Sequence, residues 1–380
     1  MSINKLVFAG IMSVGLLASC AGNETVSKQE TAVKTLTINL NGAATRTTNI
    51  AANPTAAAEA TMNKATIGVF DSNGKVKLIQ EAVPDGTGKC TVTGNSITNT
   101  DSVLVAVNTP TNTFAGISTS ADFHAKTEAI TELVTSNSEI STNLPMYGSG
   151  IVAGTTSLTA AVNVYHLVSK IHLNKINVAF DATGAYANAT FTPTEVFLYN
   201  VPQYLNFYYD SSVYSTTPAT SPFAYASGTT PTLLQGESGT TGTYVEYLGT
   251  GVISGGTKLS TSGTATALIP GDLYFYTTPN IGTNSSNNTR LIIKGTFSSD
   301  GTTTNNTTLY YPIQINHTVT GGSIATGTDK FVYPNICYNI TVTIKGKGVT
   351  PVSATIDPAS VQVTLTVQPF TVVSQNVPFN

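Results

Sequence analysis

Charge is what this chain has least of. Lysine, arginine, aspartate and glutamate make up 10% of its 380 residues, where a typical soluble domain carries about a quarter. Thr, Ser, Asn and Gly take their place. β-Branched threonine suits the solvent face of a pleated sheet, so the deficit points to an all-β secreted protein and away from a cytosolic enzyme. With a net charge of -3 and scattered lysines, the chain has no basic stripe of the kind nucleic-acid binding needs. Arginine occurs only at Arg46 and Arg290. Tryptophan is absent, which argues against the flat aromatic platforms of glycan binders, although 17 tyrosines leave room for one. Cysteine is sparse: Cys20, Cys90 and Cys337. The last two read as belonging to different domains and are expected to be unpaired thiols. A chain of this length, 41% hydrophobic, needs no covalent staple to hold a core.

Catalytic patterns are missing too. The four histidines, His124, His166, His172 and His317, fall in no metal-binding spacing and are expected to be packed or surface residues. Carboxylates are few and form no glycosidase pair. Gly148, Gly150 and Gly154 lack the spacing and the following helix of a phosphate loop, so they read as a turn. No enzymatic activity, metal or cofactor is expected.

The apolar run from Leu6 to Leu17, preceded by Lys5, is about a dozen residues, short of the roughly twenty that span a bilayer. It reads as a signal peptide, and Leu17-Ala18-Ser19 directly before Cys20 forms a lipobox. Cys20 is therefore the expected acylation site and new amino terminus.

Downstream, alternation of period two dominates. Leu158-Ala160-Val162-Val164 and Ile336-Tyr338-Ile340-Val342-Ile344 each put apolar side chains on one face, as half-buried antiparallel strands do, and sandwiches follow from those. One helix is expected from Ser120 to Val134, with Phe123, Ile130 and Leu133 on one face and Ser120 or Asp122 as cap. After Ile171 and Leu173 the apolar set resumes one residue out of phase at Ile176, Val178 and Phe180. A bulge or crossover there would take one long strand from a first sandwich into a second. The polar stretches Ser211–Ser221, Ser227–Thr243 and Gly249–Thr264 read as exposed loops.

Five segments together carry a family resemblance: LPMYGSG at Leu144–Gly150, HLVSKIHLNKI at His166–Ile176, EVFLYNVP at Glu195–Pro202, FYTTPN at Phe275–Asn280 and PNICYNITVTIKGKG at Pro334–Gly348. The set resembles the fimbrillins of Bacteroidales, major pilins of type V pili, from the lipobox to the C-terminus. The resemblance implies two tandem transthyretin-like antiparallel β-sandwiches with a short helix in the first and a C-terminal strand extension. It also implies export as a lipoprotein to the outer membrane, cutting by an arginine-specific protease, and polymerisation with identical or related pilin subunits by strand exchange. The corresponding segments are a signal peptide at 1–19, a propeptide at 20–46, sandwiches at 47–168 and 169–359, and an extension at 360–380.

Two segments would carry that assembly. Arg46 lies in NGAATRTTN, a small polar stretch that an extended-substrate protease could accept, and it reads either as a linker arginine or as the residue cut before Thr47. Cutting there would remove Thr35–Leu40, whose Leu36, Ile38 and Leu40 alternate with polar residues, and leave an apolar groove. At the other end, Val361, Val363, Leu365 and Val367 alternate with Gln362, Thr364 and Thr366, and Phe370 follows Pro369. This mirrors the lost strand and reads either as a donor to a neighbour or as the last strand of its own sandwich. Tip subunits of such pili resemble stalks but lack the extension, so its presence indicates a stalk. A surface lipoprotein that stays anchored and binds glycans is the competing class, but such a protein gains nothing from a site that severs its lipid.

Overall fold

Alternating apolar residues become the inward faces of two β-structures that share one chain without a linker. The computed structural model describes residues 33–42, 56–129, 142–209, 232–237, 259–260, 266–267, 273–281, 285–316, 319–320, 323–324 and 331–369. The segment expected to be a signal peptide and lipobox with Cys20, the pair Arg46 and Thr47, and His317 and Phe370 lie outside these residues.

The first structure comprises β1 (Lys34–Gly42), β2 (Ala65–Phe70), β3 (Val76–Ala82), β4 (Lys89–Gly94), β5 (Ser102–Val107), β6 (Thr127–Ala129), β7 (Met146–Ile151) and β8 (Leu158–His166). All but β6 form one seven-stranded sheet in the order β3-β2-β5-β7-β8-β1-β4. Its inward faces share one core, which takes Leu36, Ile38 and Leu40 from β1, Cys90 and Val92 from β4, and Ala160, Val162 and Val164 from β8. The outer strands approach each other, with Thr93 N on β4 donating to Gln80 Oε1 on β3 at 3.4 Å.

Strand β2 is buried at every position and β5 at all but one, because their other face is covered as well. There Phe70, Phe114, Phe123, Leu144 and Phe207 form a second apolar layer. Phe123 stacks on Phe114 at 4.0 Å between ring centroids and meets Phe70 edge-on at 6.0 Å.

Phe123 is delivered by a helix much shorter than the pattern predicts. α1 (Ala56–Glu59) and α2 (Ser120–His124) are each about one turn long. Thr119 caps α2, accepting from Asp122 N while the Asp122 carboxylate accepts from Thr119 N, so the cap is neither Ser120 nor a lone Asp122. The chain then enters β6, which pairs with β11 (Tyr204–Asn206) from the second half. Gly148 and Gly150 also depart from expectation. They sit inside β7, not in a turn, where an added Cβ would meet the carbonyls of Asn163 and Ala161 on β8.

Leu167 and Val168, both buried, are all that separates β8 from β9 (Ser169–Val178). The second structure adds β10 (Thr190–Pro202), β12 (Leu233–Gln235), β13 (Leu259–Ser260), β14 (Thr266–Ala267), β15 (Leu273–Thr277), β16 (Arg290–Ser298), β17 (Asn306–Gln314), β18 (Val319–Thr320), β19 (Ser323–Ile324), β20 (Ile336–Ile344) and β21 (Val361–Pro369). Strands β12 and β13 fall inside stretches expected to be loops. One sheet runs β12-β10-β16-β17 with β13 beside β10; the other runs β14-β9-β20-β21-β18-β19 with β15 beside β9.

Both sheets contribute to one core, with Leu198, Ile293 and Tyr311 from the first and Ile171, Tyr338 and Val342 from the second. The fold is thus nearly all β. It is not purely antiparallel: β1 pairs with β8, and β9 with β20, in parallel. The phase change seen in the sequence coincides with a slip in the β9–β20 register, where Leu173 faces Ile340 but Lys175 faces Thr341. That bulge at Asn174 lies within the second sheet, several residues past the crossing at Leu167–Val168.

Phe123 lets a one-turn helix close the second layer. Phe123→Ala should lower the unfolding free energy by about 3–5 kcal/mol, measured by denaturant titration; a loss below about 1 kcal/mol would mean the layer repacks without it.

Candidate assembly site

Strand β1 occupies the interior of the first sheet. On one side it pairs antiparallel with β4, Leu36 facing Val92 and Ile38 facing Cys90; on the other it pairs parallel with β8, Leu36 facing Leu158, Ile38 facing Ala160 and Leu40 facing Val162. Leu36 and Ile38 are fully buried and Leu40 nearly so. These are the three residues the sequence assigns to a removable strand. At about 1.5–3 kcal/mol per side chain they hold the strand with roughly 5–9 kcal/mol as an upper bound, besides two backbone ladders.

The slot that β1 fills has identifiable walls. At its end, Leu40 N donates to Gly88 O at 2.9 Å. Gly88 has φ +78, and a Cβ there would lie 2.7 Å from Leu40 O, so only glycine lets the turn approach the strand so closely. Asp85 Oδ1 accepts from Thr87 N and Lys89 N at 2.9 Å each, which fixes the same turn. The Thr87 hydroxyl and these amides hold the Asp85 carboxyl below the usual range. Cys90 lines the slot opposite Ile38, and burial pushes its thiol up to about 11. Cys90 and Cys337 are both free.

The C-terminal strand is held differently. β21 pairs antiparallel with β20 along its whole length, from Val361 facing Ile344 to Pro369 facing Ile336. Among the described residues its other edge meets β18 only where Val319 faces Val363. Val361 and Val363 are buried in this subunit's own core, Leu365 packs against it half-buried, and Val367 is 47% exposed. Thr364 and Thr366 face solvent. The apolar stripe predicted from the sequence is present, but it passes from core to surface along the strand.

A buried polar cluster joins the two halves near the start of the first. Glu59 on α1 is 6% exposed and accepts from Lys170 Nζ at 2.6 Å and from the Tyr276 hydroxyl at 2.7 Å. Its backbone oxygen accepts from His166 Nε2 at 2.9 Å. Lys170 also lies over the Tyr274 ring, 5.1 Å from its centroid. An ion pair this deep is costly to break from one side, because the remaining charge stays buried. Burial lowers His166 to about 4 and, with Glu59 nearby, raises the Tyr276 phenol well above its ordinary value.

No sequence pattern announced this cluster. Lys170 is one of several polar residues in β9 and Tyr276 one of two tyrosines in β15, so neither stands out in the sequence. The other described histidines are packed as expected, His124 Nε2 lying 2.9 Å from the Tyr147 hydroxyl and His172 Nδ1 2.9 Å from Asn339 Oδ1. Among the described residues no group of His, Cys, Asp and Glu could hold a metal ion, and no helix is long and apolar enough to cross a membrane.

Residues 34–205 match the family described as "Major fimbrial subunit protein (FimA)". Solved structures with the same fold include a fimbrilin (FimA) from Porphyromonas gingivalis, 18% identical with a TM-score of 0.56, covering 90% of this chain and 99% of that one. Another is a candidate cell adhesion protein from Bacteroides eggerthii, 20% identical with a TM-score of 0.59, covering 89% of this chain and 96% of that one. No curated protein sequence matches the chain.

Two measurements probe this site. If β1 is what hides Cys90, then in a Cys20→Ser, Cys337→Ser background, removing residues 1–46 should raise its labelling by a thiol reagent about tenfold or more; an unchanged rate would mean the slot closes without its strand. His166 titrates below an unfolded histidine, so the unfolded chain binds the extra proton between pH about 6.5 and about 4. Stability should therefore be full above that window and fall as pH drops through it, by up to about 3 kcal/mol. Chemical denaturation of wild type and His166→Gln should show that loss only in the wild type, and parallel pH profiles would exclude His166 as its source.

Proposed function

Because residues 34–205 match the FimA major fimbrial subunit family, we propose that the chain is a stalk subunit of a cell-surface pilus. It is exported as a lipoprotein through Cys20, cut between Arg46 and Thr47, and joined to copies of itself or related pilins by strand exchange, in support of adhesion and biofilm growth. The observation that carries this reading is the placement of β1. Among the described elements, β1 alone precedes Arg46, and every other strand of its sheet follows it. One cut after Arg46 turns an interior strand into a ligand held only by contacts. Its loss would leave β4 and β8 with unpaired backbone groups flanking an apolar slot, a template for an incoming strand.

The C-terminal segment, β21 with residues 370–380, is the donor. Leaving its own sheet costs β21 one full ladder and the cover over Val361 and Val363, whereas the slot of a neighbour offers two ladders. That difference favours exchange without any further energy source. Because Val361 and Val363 belong to the subunit's own core, charged substitutions there would damage the subunit as well as the joint. A truncation after Pro369 keeps β21 for the subunit's own core and removes only the part of the donor segment beyond it.

Sheared fibres should yield subunits beginning at Thr47 by mass spectrometry. Arg46→Ala should give folded monomers that keep β1 and form few polymers, and Cys20→Ala should leave precursor short of the surface. A chain ending at Pro369 should fold with a melting temperature near wild type, accept a donor as wild type does and supply only a shortened one, giving fewer and shorter fibres. Fibres carrying intact Cys20-linked termini would overturn the processing step; normal polymerisation of the truncated chain would overturn the assignment of residues 370–380 to the donor.

A further inference from the structure

The proposed processing raises a question that the rest of the fold answers: why an arginine-specific protease would stop at one cut. Beyond Arg46 the chain holds a single arginine, Arg290, against twelve lysines. Arg290 is 5% exposed. Its guanidinium turns inward, Nη1 donating to Ser353 O at 3.1 Å and to Ala354 O at 3.3 Å. Its backbone is the first residue of β16 and is paired on both sides, with Tyr199 on β10 and Gln314 on β17.

A protease of this class needs the arginine side chain free to enter a pocket and the flanking backbone extended and unpaired. Arg290 offers neither. The same hairpin shows the contrast: its tip, from Thr302 to Asn305, is exposed and carries no arginine.

We propose that the mature subunit is built to persist beside the arginine-specific protease that releases it, its one remaining arginine sealed by the fold and its other fixed cationic positions given to lysine. This rests on the processing reading above. It adds that selectivity for Arg46 resides in the substrate as much as in the enzyme, so that polymerised or waiting subunits tolerate continued exposure to the protease.

The test uses the full chain and a purified arginine-specific endoprotease, read by intact mass in native buffer and after unfolding. Native protein should be cut once, after Arg46, leaving 47–380 intact through prolonged digestion, while unfolded protein should also be cut after Arg290. Thr303→Arg, placed at the exposed hairpin tip, should add one native cut after residue 303. Cleavage after Arg290 in native protein would overturn the proposal. So would native resistance of Thr303→Arg, because general rigidity would then be the protection and the sealing of Arg290 irrelevant. Failure to cut at Arg46, with Arg290 intact and the Thr303→Arg site cut, would sink the processing reading and leave the sealed arginine standing.

Discussion

An interior strand must be hydrogen-bonded on both edges, and β1 meets that requirement with residues far from it in sequence. Its antiparallel partner β4 follows some fifty residues later and its parallel partner β8 more than a hundred. Without β1 the first sheet is cut in two: β4 has no other partner in the sheet order, and β8 is left with β7 alone. The core that Ile38 and Leu40 close would open between Val92 and Val162. A strand with this much dependent on it is ordinarily continuous with its domain through a protected connection. Here the chain between β1 and β2 contains Arg46, so the processing proposed above would change the sheet without disturbing the order of any other strand.

The two halves are coupled so that such a change stays local. Only Leu167 and Val168 separate β8 from β9, and the small β6–β11 sheet carries Leu205 and Phe207 from the second half onto the aromatic layer of the first. Glu59, Lys170, Tyr276 and His166 close the same junction with buried hydrogen bonds. These contacts fasten α1 directly to the second half, with no path through β1. Loss of the first strand thus need not loosen the joint on which the rest of the subunit turns.

Some features were legible because they are local. The inward faces of β1, β8, β20 and β21 follow from period two, and the slip at Asn174 was visible as a change of phase. The helix was overextended because Ile130 and Leu133 continue Phe123's spacing, a pattern that says nothing of β11 waiting to pair with Thr127–Ala129. Gly148 and Gly150 were misread for a similar reason: glycine signals a turn unless a neighbouring backbone has come close enough to forbid a side chain, and that neighbour is β8. The Glu59 cluster left no pattern at all, since its members come from α1, β8, β9 and β15.

By itself the sequence determined which residues of each strand could face a core, because side-chain direction alternates with every residue whatever the strand pairs with. It also carried the small-residue stretch before Cys20, the two arginines and the family resemblance, all of them linear features. Only the tertiary structure decided which strand lies beside which: that β1 runs parallel to β8, that Val361 and Val363 are covered by their own subunit while Val367 reaches solvent, and that Arg290 is sealed. Pairing depends on residues brought together across loops of tens to hundreds of positions, and the energy that selects one partner over another comes from burial shared by both faces, which no single segment encodes.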